Sequence, residues 1–206
     1  MMKKMLARAG VLLLVAGMAL PAFAAKHMQP AKDQDPKPAP GKALLVIARP
    51  SSYGAAIMSS VYDAPDTGTE FIGILGGHDK IAYQAEPGKH RFMVIGENAD
   101  FMDADLEAGK VYYAVVRARP GMWKARFSLL PIHAKSADKY NLESPDFKDW
   151  VKNSGWIEQD PTAQAWYAES KADIEEKKAD YLKKWNVMAP NDRAELYLHA
   201  EDGTAP

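Results

Sequence analysis

Residues 112–129 read YYAVVRARPGMWKARFSL, and their alternation decides the fold class. Tyr112, Ala114, Val116 and Ala118 fall on one side of a period of two and Arg117 and Arg119 on the other. Trp123, Ala125, Phe127 and Leu129 resume it beyond Pro120-Gly121. That period belongs to half-buried strands, so the stretch reads as a β-hairpin. A two-residue loop at Pro120-Gly121 would pair Ala118 with Trp123, Val116 with Ala125, Ala114 with Phe127 and Tyr112 with Leu129, small against large in most pairs. A longer loop would shift that register, because an L-Pro-Gly turn has the wrong twist for a tight hairpin.

The same signals recur upstream. Residues 43–48 are continuously apolar, as in a strand covered on both faces, and Arg49-Pro50 stops them. Residues 57–62 and 70–75 flank Asp63-Ala64-Pro65-Asp66-Thr67-Gly68, a loop dense in turn formers. Ile81, Tyr83 and Ala85 alternate before the turn Glu86-Pro87-Gly88-Lys89. Residues 91–96 follow, and then Met102, Ala104 and Leu106 point away from Asp103 and Asp105. About seven or eight short strands at this spacing imply a mainly β fold, an antiparallel β-sandwich or small barrel, over residues 42–133.

Beyond His133 the pattern is helical, and residues 134–206 read as a C-terminal α-helical extension packed on the sandwich. Ser144-Pro145 opens a helix with Phe147, Trp150 and Val151 on one face, ended by Asn153-Ser154-Gly155. Asp160-Pro161 opens a second that runs to about residue 188. Asp173/Lys177 and Asp180/Lys184 sit there at the favourable i,i+4 spacing. Its narrow stripe of Trp166, Ile174, Tyr181, Trp185 and Met188 needs a surface to lie on. Residues 194–200 fit a strand or a turn of helix equally.

At the other end, Lys3, Lys4 and Arg8 precede an apolar run at 11–20 and the small-x-small triplet Ala22-Phe23-Ala24. Residues 1–24 therefore read as an export signal, with that run too short to span a bilayer. Pro30, Pro36, Pro38 and Pro40 among Lys, Asp and Gln make residues 25–41 a Pro-rich flexible leader. Removing the signal reduces 26 basic side chains to 23 against 27 acidic, a net charge of −4 that disfavours nucleic acid as a partner. The chain has no cysteine. That excludes disulfides, thiolate metal sites, covalent haem, a cysteine nucleophile and a lipoprotein anchor.

Three stretches carry a resemblance: Ala43-Leu44-Leu45-Val46 running to Arg49-Pro50-Ser51, then Glu86-Pro87-Gly88-Lys89-His90, then Leu106-Glu107-Ala108-Gly109-Lys110-Val111-Tyr112-Tyr113. Over residues 42–119 the chain resembles an uncharacterised family of small bacterial envelope β-domains, similar to the PEGA and transthyretin-like sandwiches. The resemblance implies an exported antiparallel β-sandwich of Ig-like or transthyretin-like type with no established activity, and it brings no functional residues with it.

Reactive constellations are few. Asp100, Asp103 and Asp105 suggest calcium, but two of them fall on the solvent face of a strand and no glycine supplies the sharp turn of an EF-type loop. His27, His78, His90, His133 and His199 have no paired helical spacing for zinc. His78-Asp79 beside Gly76-Gly77 is the loop best shaped to approach a ligand. Ser59 or Ser60 with His90 and an aspartate would compose a hydrolase triad, yet both serines lie inside a strand rather than on an elbow. Gly73, Gly76 and Gly77 precede no helix that would make them a phosphate loop.

Electrostatics is more informative. In the short-loop register Arg117, Arg119, Lys124 and Arg126 share the outward face, with Arg117 opposite Lys124. Like charges so placed repel unless an acid covers them. Residues 135–206 hold 10 basic and 15 acidic side chains, so the expectation is that the helical tail folds back and screens this face. The sequence thus reads as an exported non-enzymatic envelope protein, periplasmic or else secreted, monomer or homodimer, with no transmembrane segment, that binds an envelope protein or surface polymer. The alternative is a small-ligand carrier with a pocket between sheet and helix lined by Tyr83, Tyr112, Tyr113, Trp123 and Trp166. No residue is assigned as catalytic, cofactor-binding or metal-ligating.

Overall fold

Six apolar residues in a row leave no polar face, and β2 (Ala43–Arg49) is accordingly buried at every position. The computed structural model describes residues 26–50, 57–119, 126–137 and 139–206. The expected export signal, the Pro120-Gly121 turn, Trp123 and Lys124 lie outside the described residues. β2 sits inside a six-stranded sheet ordered β1 (Met28–Pro30), β10 (Gly155–Gln159), β5 (Asp79–Ala85), β2, β8 (Val111–Arg119) and β9 (Arg126–Pro131). The second sheet runs β11 (Tyr197–Leu198), β7 (Ala99–Leu106), β6 (Gly88–Ile95), β3 (Ser59–Asp63) and β4 (Glu70–Leu75). Leu45, Ile47, Tyr112, Val116 and Leu129 from the first sheet share one core with Val61, Phe92, Val94, Met102 and Leu106 from the second. The chain passes back and forth between the sheets, and so returns to each in either direction. Among the described residues six strand pairings are antiparallel and three are parallel, including β2 with β8, so the sheets are mixed where an antiparallel sandwich was expected.

The β8–β9 hairpin keeps the expected inward and outward faces but not the short-loop register. Ala118 pairs with Phe127, Val116 with Leu129 and Ala114 with Pro131. Arg117 therefore faces Ser128, and it is Arg119 that faces Arg126. The twist argument against a tight L-Pro-Gly turn accounts for the longer connection.

Helices close both outer faces. α1 (Pro145–Lys152) places Phe147 against Val115 of the first sheet and Ile132 just beyond β9, edge-on to Tyr113. α2 (Ala163–Asn186) lies on the second sheet, with Trp166 and Tyr167 on Phe71, and Tyr181 and Trp185 edge-on to Phe101. The expected stripe does lie on sheet, but on that sheet rather than on the arginine face of β8–β9. The reason is apolar area: Phe71, Phe101 and Tyr62 are all buried under the helix side, whereas Arg117 and Arg119 are exposed. Lys178 is buried in the joint, and its Nζ donates to the carbonyls of Pro65 and Gly68, tying the β3–β4 loop to α2. Asp173 pairs with Lys177 as its spacing predicts, whereas Asp180 pairs with Lys183 rather than Lys184.

The extension is not separate from the sandwich. Gly155–Gln159, not foreseen as a strand, forms β10 in the first sheet, and Tyr197–Leu198 forms β11 beside β7 after the short helix α3 (Pro190–Ala194). Nor is the leader a loose tether. β1 pairs antiparallel with β10, Met28 is buried in the main core, and Ala31 N–H donates to Trp156 O. Met28 Sδ also accepts the Ile74 N–H, and Gln159 Nε2 donates to the carbonyls of Phe71 and Ile72, so side chains occupy the outer edge of β4. Replacing Met28 with Ala is expected to cost about 2–4 kcal/mol in urea denaturation, the range for deleting a buried side chain of this size. A leader that served only as a spacer would give no loss.

Candidate binding groove

The groove arises where two strands part. β10 runs parallel to β5 only at Gly155–Asp79 and Trp156–Lys80, then leaves to pair with β1. The polarity of the β5 edge beyond that point follows from register. Leu44 N–H donates to Lys110 O on the β8 side, so Ala43, Leu45 and Ile47 turn their main-chain groups toward Ala85, Tyr83 and Ile81. By alternation, the N–H and C=O of Ala82 and Gln84 point away from β2. They face a cleft of about 640 Å³ walled by β4, β5, β10 and the start of α2. Phe71, Ile72, Tyr83, Trp156 and Tyr167 supply apolar and aromatic wall, while Asp33, Glu70 and Glu158 make its rim acidic.

The proline-rich segment straps this cleft. Lys32 N–H donates to Glu158 Oε2, Ala39 N–H to Gln84 Oε1, and Gln84 Nε2 to Lys37 O. The strap thus runs from β10 to β5, with Ala31, Asp33 and Pro36 lining the cleft.

Behind Tyr83 lies a compact polar network. Asp63, at the end of β3, accepts from Tyr83 OH at 3.1 Å and faces His90 Nδ1 at 2.7 Å. His90 Nε2 lies 2.8 Å from Glu86 O, which can only accept, so that nitrogen carries a proton. A second proton on Nδ1 then meets the Asp63 carboxylate. That hydrogen bond raises the His90 pKa above its usual value despite burial. Burial, and then the Asp63 and Glu70 charges, push the Tyr83 phenol up as well.

The structure brings few of the sequence candidates together. His90 does meet an aspartate, but Ser59 Oγ donates to Leu75 O at the opposite end of β3, where neighbouring Ser60 pairs with Ile95. Asp100 is engaged by Arg119 and Tyr181, and Asp103 by Arg91. His27 stacks on Trp166, His133 faces Asp202, and His78 takes a positive φ of 65° after the two glycines. Of the aromatics expected in one pocket, Tyr83 lines the groove, whereas Tyr112 is core, Tyr113 lies under α1 and Trp166 packs on Phe71. Phe71, Ala82, Trp156 and Tyr167 were missed, because no local pattern announces a cleft assembled from five segments.

No protein-family model matches this chain, and no curated protein matches it either.

The His90–Asp63 bond is strongest while the imidazole is charged. Because the folded pKa lies above the unfolded value, its contribution is complete below about pH 6.5 and is lost as pH rises through the raised value. Denaturation curves at pH 6 and pH 8.5 should show the parent protein losing more stability than His90→Gln on going to the higher pH. Equal losses would show that the pair does not titrate as described.

Proposed function

We propose that this is an exported, non-enzymatic envelope protein, periplasmic in location, that recognises an extended polypeptide segment laid along the open edge of β5. The carrying observation is the union of a strand edge at Ala82 and Gln84, joined by no described strand, with the aromatic wall of the adjoining groove. Strand addition needs both: main-chain groups supply affinity, and pockets for alternate side chains supply choice. The acidic rim of Asp33, Glu70 and Glu158 favours a segment carrying lysine or arginine. In this reading the sandwich is akin to the PEGA and transthyretin-like domains.

The His90–Asp63 pair supports recognition over catalysis, since both imidazole nitrogens are committed to internal partners. A small-ligand carrier is the second reading, favoured by a cleft volume within the range of about 300–1,000 Å³ typical of such pockets.

Panning a phage-displayed dodecapeptide library against the protein tests the first reading. Selected peptides should alternate apolar and polar residues, and Ala82→Pro should weaken them about tenfold, the worth of one well-placed hydrogen bond, while the melting temperature changes little. N-methylation of alternate peptide residues should weaken binding to the unaltered protein equally. Peptides indifferent to both changes would refute strand addition, and a small molecule co-purifying in the cleft would favour the carrier.

A further inference from the structure

The second sheet and α2 meet the end of the β8–β9 hairpin in another cleft, of about 330 Å³. Arg119 and Arg126 line it from the hairpin, and Lys177, Asp180, Tyr181 and Lys184 from the helix. Lys177, Tyr181 and Lys184 stand four and three residues apart, hence on one face of α2.

The tail was expected to neutralise the hairpin arginines. Along this cleft it does the reverse, bringing two lysines and one carboxylate. Arg119 and Arg126 are directly opposite in the ladder, a like-charge placement that costs stability. Buried Asp100 answers only the first: its Oδ2 accepts from Arg119 Nη2 at 2.6 Å and its Oδ1 from Tyr181 OH at 2.5 Å. Among the described residues neither Arg126 nor Lys184 has a carboxylate within ion-pair distance, and the Lys184 ammonium lies over the ring of Tyr181. Asp180 is drawn to Lys183, which is outside the lining, and Lys177 to Asp173. With Arg119 answered by Asp100, Lys177 by Asp173 and Asp180 by Lys183, Arg126 and Lys184 are the two positive charges of the lining left without an acid among the described residues, in a chain that is net negative overall.

We propose that this cleft is a binding site for a phosphate-bearing ligand, with Arg126 and Lys184 as its principal cationic contacts. A phosphate group opposes the charge left over, and its several acceptor oxygens let two basic side chains share it without facing each other bare. Asp100 fixes the Arg119 guanidinium and the Tyr181 phenol from behind, so those two walls are set before the ligand arrives. The phosphate is either free in solution or the headgroup of an anionic lipid, and the probes below separate these sources.

Isothermal titration with inorganic pyrophosphate and co-sedimentation with vesicles of phosphatidylglycerol and phosphatidylcholine test the proposal. Saturable pyrophosphate binding that weakens with added salt, and falls at least about tenfold in the double variant R126Q/K184Q, is the result expected of a soluble ligand. Binding to the phosphatidylglycerol vesicles alone, lost in the same variant, assigns the lipid source; the net negative charge of the protein opposes a merely non-specific attraction. Both residues are at the surface, and relief of the Arg119–Arg126 repulsion should raise the melting temperature of R126Q at low salt. Absence of binding to either probe, or undiminished binding by the double variant, would overturn the proposal.

Discussion

Strands that are apolar on both faces survive in water only under cover, and everything else in this molecule is arranged around that need. β2, β3, β4 and β6 each bury residues of both parities, so two sheets facing each other satisfy only half of the demand. α1 covers one outer face and α2 the other. The dependence is mutual, since a helix with one narrow stripe is marginal alone in water. Ile174 and Trp185 are almost wholly removed from solvent by the sheet they protect. Buried Lys178 fits the same logic: its ammonium, its pKa lowered by desolvation, meets two carbonyls of the β3–β4 loop and so fixes the helix by polar contacts within an apolar layer.

Covering faces leaves the edges, and here the chain uses its odd fragments. β1 is three residues long and ends in proline, which blunts the strand at that margin. β11, two residues, runs beside β7. Gln159 and Met28 occupy the main-chain groups of β4 with side chains instead of a neighbouring strand. Against this background the stretch of β5 after Lys80 stands out, because its neighbour β10 departs and the strap meets it through the Gln84 side chain. An edge left open inside a protected groove differs from one left open to solvent: it selects what can reach it.

What the sequence made legible was whatever local periodicity controls. The period of two located β5, β7 and β8, the turn formers of residues 63–68 located β3 and β4 on either side, and the Ser144-Pro145 and Asp160-Pro161 signals located α1 and α2. Register and partnership depend on turns and on distant chain, and these were not legible. The hairpin slipped by four residues because its loop is longer than two, and the parallel pairing of β2 with β8 joins segments more than sixty residues apart. β1 and β10 escaped notice because MQP and GWIEQ carry too few apolar residues to show a pattern. Met28, an apolar side chain within the polar leader, anchors it in the core.

Net charge misled for a related reason. The tail is acidic as a sum, yet charge acts at the range of a few ångströms, and the helix face carrying Lys177, Tyr181 and Lys184 is the one turned to the arginines. The stripe that docks the helix fixes its rotation, so the apolar contact of Tyr181 and Trp185 with Phe101 decides which charges meet the hairpin. α2 therefore walls both clefts, with Tyr167 at one and Tyr181 at the other, roughly 20 Å apart along its axis at helical rise. Lys178 and Ile174 pin the helix between them. A ligand at either proposed site would meet a wall already held by the core, so the two would act independently unless α2 itself is lifted from its sheet.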